Sequence, residues 1–232
     1  MADDLTDILA AQGPQAGRPF LGLTVLVVED SRYASEALRL LCLRSGARIR
    51  RADCLRSARR HLQTYRPTVV IVDPGLPDGS GLDLIAELAA AGPRVPVLLA
   101  SSGDAAMRAP TLAAGADGFM EKPIASLAAF QATVLAALPD TRARAEPAPL
   151  GDLPQPDPMA LRDDLAHAAG ILDKGADDGG LAYVAQFLSG IARSAQDTAL
   201  AEAAQGLAAG RLGGVQRLAG LVHDRLNAGH RF

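Results

Sequence analysis

The sequence predicts an α/β protein: a doubly wound, five-stranded parallel sheet, followed by a second, smaller all-α bundle. Three observations lead there. TVLVV at residues 24–28, VVIV at 69–72 and VPVLLA at 95–100 are apolar throughout rather than alternating, as strands buried on both faces are. Segments of helical length and period lie between them, and right-handed crossovers then place helices on both faces of a parallel sheet. From about residue 159 the strand texture stops and amphipathic helical segments follow one another.

In chain order, residues 1–21 are expected to form a mobile arm, with a short helix over Asp4–Ala11 and then the Gly- and Pro-punctuated GPQAGRP. The α/β domain is expected over residues 22–138. Its first strand leads into SRYASEALRLLCLRSG, a helix that Ser31 can cap and Gly46 can end. ARIRRA is the second strand and CLRSARRHLQTYR the second helix. The third strand ends at Asp73, and SGLDLIAELAAAG is a helix entered through Ser80 and closed by Gly92. VPVLLA is followed by DAAMRAPTLAAG, a helix expected to break near Pro110, then by the strand GFME and the helix SLAAFQATVLAAL. Residues 139–158 hold six prolines in twenty residues and read as an extended linker. The bundle, residues 159–232, is expected to hold helices near 159–173, 178–195, 197–209 and 213–228. Leu181, Val184, Leu188 and Ile191 form one apolar stripe on its second helix.

Composition narrows the function. A chain of 232 residues with a net charge of -3 has no nucleic-acid signature, and residues 159–232 carry seven Lys/Arg against eight Asp/Glu, which argues against DNA binding. The chain opens with Asp3, Asp4 and Asp7 instead of a basic flank and apolar core, and its apolar runs are short. A cytoplasmic protein with no membrane segment is expected. Cys42 and Cys54 lack metal-type spacing and read as reduced thiols. Arg44, Arg48, Arg50, Arg51, Arg56, Arg59, Arg60 and Arg66 lie within 23 residues, opposed there only by Asp53. They read as a solvated face or as a docking site for an acidic partner.

The chemistry concentrates at strand ends. Glu29 and Asp30 follow the first strand and Asp73 the third, so the fold brings three carboxylates together. All-oxygen donors suit a hard cation such as Mg²⁺. Ser101 and Ser102 end the fourth strand, and Lys122 with Pro123 follows the fifth. A carboxylate nucleophile, a metal, a hydroxyl and a lysine are the parts needed to accept a phosphoryl group. Singly, each of these residues reads as readily as a turn cap, a core side chain or a solvated charge. Their joint placement on one rim sets them apart.

The pieces VVEDS, VDPGLPDGSG, PVLLASS and GADGFMEKP, in that order and spacing, resemble a response-regulator receiver domain over residues 22–138. The resemblance implies a flavodoxin-like sheet and phosphorylation of Asp73 by a histidine kinase or phosphotransfer protein. It also implies Mg²⁺ held at Glu29, Asp30, Asp73 and Gly75. Lys122 would pair with the phosphoryl oxygens, Ser101 would hydrogen-bond the phosphoryl group and carry the switch, and Phe119 would turn inward when Ser101 moves. A cis peptide before Pro123 is implied as well. Pro74 departs from the pattern by removing an N–H, which leaves Gly75 as the donor. Gly75 and Ser102 are small, so water access and a short phosphoryl lifetime are expected. The only catalysis expected is the receiver's own phosphorylation and dephosphorylation, with no separate catalytic output domain.

Residues 182–207, AYVAQFLSGIARSAQDTALAEAAQGL, resemble the core of a histidine-containing phosphotransfer domain. Ala185, Leu188, Gly190, Ala192, Leu200 and Ala201 agree with its pattern. Gln186 stands where the phosphorylatable histidine would be, and Ser189 replaces a lysine. Generic Ala/Leu helical texture is the plainer reading of the same residues. Glutamine has no ring nitrogen to phosphorylate, so the bundle is expected to bind a downstream protein, as yet unknown. Two other readings stand beside this one: a relay through His167 or His223, and a non-cycling scaffold. Homodimerisation stays open.

Overall fold

The computed structural model describes residues 17–138 and 156–228. The expected helix Asp4–Ala11 and most of the Pro-rich linker lie outside the described residues. The first domain runs β1 (Thr24–Val28), α1 (Arg32–Arg44), β2 (Arg48–Ala52), α2 (Leu55–Thr64), β3 (Val69–Val72), a small hairpin of β4 (Gly75–Leu76) and β5 (Gly79–Ser80), and α3 (Gly81–Ala90). It continues with β6 (Val97–Ser102), a 3-10 turn at Ala105–Met107 leading into α4 (Arg108–Ala113), β7 (Gly118–Glu121) and α5 (Leu127–Ala137).

Five of these strands pair in parallel in the order β2-β1-β3-β6-β7. Alternate residues serve opposite faces. Val25, Val27, Ile71 and Leu99 pack with α1 and α5, while Leu26, Val28, Val70 and Leu98 pack with α2 and α3. Both faces are therefore core, which is why β3 and β6 are buried along their whole length.

One expectation needs correction. The expected mobile arm does not extend to residue 21, because Phe20 is fully buried, meets Phe130 edge-to-face at 5.7 Å, and donates its N–H to the Ser45 carbonyl at 2.8 Å. The Gly and Pro punctuation is real, but one aromatic side chain is enough to fasten the segment to the core. The interruption expected near Pro110 is present: a 3-10 turn at Ala105–Met107 gives way to the six-residue α4, and Pro110 is the third residue of α4, within the first turn, where a missing N–H leaves no bond of that helix unmade.

The second domain consists of α6 (Pro158–Asp173), α7 (Asp178–Ser194), α8 (Thr198–Ala208) and α9 (Gly214–Ala228). Asp157, Asp177 and Asp197 cap the first three by accepting backbone N–H bonds, which is why these helices start where they do. The helices close a ring, each packed on two neighbours, around Leu165, Val184, Leu188, Ile191, Leu200, Leu218 and Val222. Among the described residues no helix is long and apolar enough to cross a membrane. α6 and α7 lie against α1, and α7 also reaches β4, so the bundle sits at the carboxyl end of the sheet.

Candidate functional site

The third strand stops at Val72 and delivers Asp73 into a loop whose shape depends on Gly81. A Cβ on Gly81 would stand 2.1 Å from the Asp73 carbonyl oxygen, and the Gly81 N–H donates to the Pro74 carbonyl at 2.9 Å. The loop is also tied to α2, because Asp78 accepts the Leu55 and Arg56 N–H groups at 2.7 and 3.0 Å. Held this way, Asp73 accepts the Gly75 N–H on Oδ1 at 2.7 Å, the donor left after Pro74 removes the nearer one.

Lys122 enters from the end of β7, after which the Lys122–Pro123 peptide is cis. Its Nζ donates to Asp73 Oδ2 and Glu29 Oε2, both at 2.5 Å, and the side chain is 5% exposed. Burial alone would lower the lysine's pKa. The facing carboxylates of Asp73 and Glu29 outweigh it, so the ammonium is held charged well above its ordinary range. The acids show the opposite strain. Burial, reinforced by the charges of Asp73 and Asp30, pushes Glu29 up to about 8 against the pull of Lys122. Burial and the Asp73 charge push Asp30 up to about 7. Three carboxylates thus share one ammonium, and the site is short of positive charge.

That shortage, with an all-oxygen donor set, fits a hard divalent cation at Glu29, Asp30, Asp73 and Gly75. The set is gathered but not closed into a cage. Among the described residues no group of three His, Cys, Asp or Glu side chains is arranged to hold a metal. Lys122 stands between Glu29 and Asp73, and Asp30 is engaged elsewhere, accepting the Ser31 N–H at 3.0 Å and the Tyr183 hydroxyl at 2.8 Å.

Ser101 is 1% exposed, and its hydroxyl is a buried polar atom with no hydrogen-bond partner among the described residues. Such a group costs stability unless something supplies an acceptor. Its neighbour Ser102, not Ser101, lines the large cleft with Asp73 and Lys122. Phe119 is buried beneath the Arg108 guanidinium, 5.1 Å from its ring centroid. All eight arginines of the cluster are exposed. Arg51 spans to the Glu29 and Asp30 carbonyls, and Arg59 pairs with Glu87 at 3.1 Å.

Sequence reasoning missed that the bundle completes the site. Asp164 of α6 is 3% exposed and accepts the Ser31 hydroxyl at 2.7 Å and the Arg32 and Tyr33 N–H groups at 2.9 Å each, capping α1 from 130 residues away. On the facing side of α7, Tyr183 holds Asp30, while Gly190 and Arg193 pack on Gly103. Gln186 stands over Gly75, in the space expected to be left open by that residue's lack of a side chain. A cleft of about 1030 Å³ remains between the domains, lined by Asp73, Lys122, Ser102, Gln186 and Arg193. One signal for this was available: Asp164 is a charge on the same helical face as Leu161, Leu165 and Ala168. The two histidines are placed differently. His167 is exposed and packs on Phe187 at 5.7 Å, and His223 pairs with Asp173 at 3.5 Å.

The sequence model described as "Response regulator receiver domain" matches residues 25–133. Among curated proteins, the probable transcriptional regulatory protein TcrX of Mycobacterium tuberculosis is 38% identical over 102 residues, 44% of each chain. The KDP operon transcriptional regulatory protein KdpE of Escherichia coli is 31% identical over 126 residues, 54% of this chain and 56% of its own. The match therefore spans about half the length of these relatives. A putative response regulator from Chloroflexus aurantiacus superposes with a TM-score of 0.41 at 27% identity, covering 44% of this chain and 86% of its own.

Proposed function

We propose that residues 25–133, which match the response regulator receiver domain, work as a receiver and that Asp73 accepts a phosphoryl group from the histidine of a partner kinase or phosphotransfer protein. The observation that carries this reading is the Asp73 carboxylate itself, at the end of β3, with Lys122 on one oxygen and the Gly75 N–H on the other, facing an open cleft.

In the step, an Asp73 oxygen forms a bond to phosphorus as the phosphorus–nitrogen bond of the donor breaks, and the imidazole departs with the bonding pair. Lys122 moves from neutralising a carboxylate to neutralising phosphoryl oxygens. The Ser101 hydroxyl, without a partner among the described residues and outside the cleft that Asp73 lines, moves toward one of those oxygens and gains an acceptor there. Phe119 then follows Ser101 in the switch. Glu29, Asp30, Asp73 and the Gly75 carbonyl would hold Mg²⁺, which supplies the positive charge that the site lacks.

The output in this reading is a protein contact through the bundle. The relatives named as transcriptional regulators match over only about half of their length, and the bundle's near balance of seven basic and eight acidic residues argues against a phosphate-binding output. The phosphotransfer-like pattern around Gln186 supports a binding role, since no histidine stands there. The test is incorporation of labelled phosphate from acetyl phosphate with Mg²⁺ present. Label in the wild type and its loss in Asp73→Asn are expected, and equal labelling of the two proteins refutes the reading.

A further inference from the structure

Gln186 is a polar side chain with no structural task. Gln131, by contrast, is fully buried and spends its amide on Ser45 Oγ at 3.0 Å. Gln186 is exposed to the cleft and its side chain has no hydrogen-bond partner among the described residues, although its neighbours Ala185 and Phe187 are buried and fix the helix beneath it. Its amide lies where a side chain on Gly75 would be. A Cβ there would stand 2.1 Å from Nε2, 2.4 Å from Cδ and 2.9 Å from Oε1. Gly75 is the residue whose N–H holds Asp73 Oδ1, so the amide lies over the loop that holds the proposed acceptor and lines the same cleft.

We infer that Gln186 is a catalytic residue for loss of the phosphoryl group, orienting in cis the water that hydrolyses the Asp73 acyl phosphate. This rests on Asp73 being the phosphoacceptor. A carboxamide carries both an acceptor and a donor, so it holds a water through Oε1 while Nε2 donates to a phosphoryl oxygen. It also adds no charge to a cleft already crowded with carboxylates, which glutamate would do. Water positioning by glutamine is an established way to hydrolyse a phosphoryl group. The water oxygen bonds to phosphorus, the bond from phosphorus to Asp73 oxygen breaks, the carboxylate is restored, and the water's protons leave with inorganic phosphate and solvent. The cleft of about 1030 Å³ admits the water, and the Asp164 and Tyr183 contacts keep α7 in place above the site.

The experiment labels the full chain with ³²P-acetyl phosphate and Mg²⁺, removes the donor, and follows release of inorganic phosphate. Gln186→Ala is expected to lengthen the phosphoryl lifetime about tenfold. Asp164→Ala, which loosens the bundle without touching Gln186, is expected to lengthen it as well. Decay in Gln186→Ala at the wild-type rate or faster overturns the inference, because the amide is then idle or protective. Failure of the acceptor assignment looks different: the wild type takes no label, or Asp73→Asn takes as much.

Discussion

At the scale of the residue, Asp164 shows how one side chain can join two domains. A buried carboxylate accepting a hydroxyl and two backbone N–H groups leaves three donors unsatisfied when it is removed. Asp164→Ala should cost about 1–3 kcal/mol of interdomain stability, read as faster hydrogen exchange at the Arg32 and Tyr33 amides. Gly75→Ala should behave differently. The obstruction its Cβ meets is the end of a flexible glutamine, which can swing away, so the change in stability should stay within about 0.5 kcal/mol while the phosphoryl lifetime lengthens. The residues Glu29, Asp30, Asp73, Ser101 and Lys122 were legible in the sequence because each lies at or just beyond the end of a strand that the sequence predicts. Tyr183 and Arg193 were not. Their roles depend on docking between segments far apart in the chain, which leaves no trace in local periodicity.

At the scale of the element, the βα alternation was readable because chain chemistry marks both ends of most units. Ser31 and Ser80 cap their helices with the side-chain bonds that the sequence suggests, Ser126 does the same for α5, and the continuous apolar strands announce a sheet covered on both faces. The fastening of residues 17–21 was hidden because Gly and Pro dominate the segment and one aromatic decides it. Two substitutions test how the elements hold the site. Gly81→Ala drives a Cβ into the Asp73 backbone, which cannot swing aside, so a loss of about 1–3 kcal/mol and a displaced Asp73 are expected, measurable by urea unfolding and by loss of phosphate labelling. Leu188→Ala on α7 empties a fully buried site in the bundle core and should cost about 2–5 kcal/mol by the same unfolding measurement.

At the scale of the whole molecule, the crowded carboxylates make stability depend on pH. Glu29 rises from 4.5 to about 8 and Asp30 from 3.8 to about 7, so the folded protein holds these two protons more tightly than the unfolded chain does. Their contribution to stability is fully present below about pH 4 and is lost as pH rises through about 7 and 8. Thermal midpoints in EDTA should therefore fall between about pH 5 and pH 8, and millimolar Mg²⁺ should flatten that fall by neutralising the same charges. A midpoint independent of pH over this range would show that the repulsion is relieved in some other way. The docked bundle has a further consequence, set by covalent connection. Because α6 and α7 belong to the same chain as Asp73, they meet the receiver at an effective concentration of order millimolar, which dilution does not change. A few hydrogen bonds to the start of α1 then suffice to keep the bundle in place, although the same patch would bind only weakly as a separate protein. Any histidine donor arriving from solution competes against that local concentration, so its measured affinity for the full chain reports the tether as much as the surface it touches.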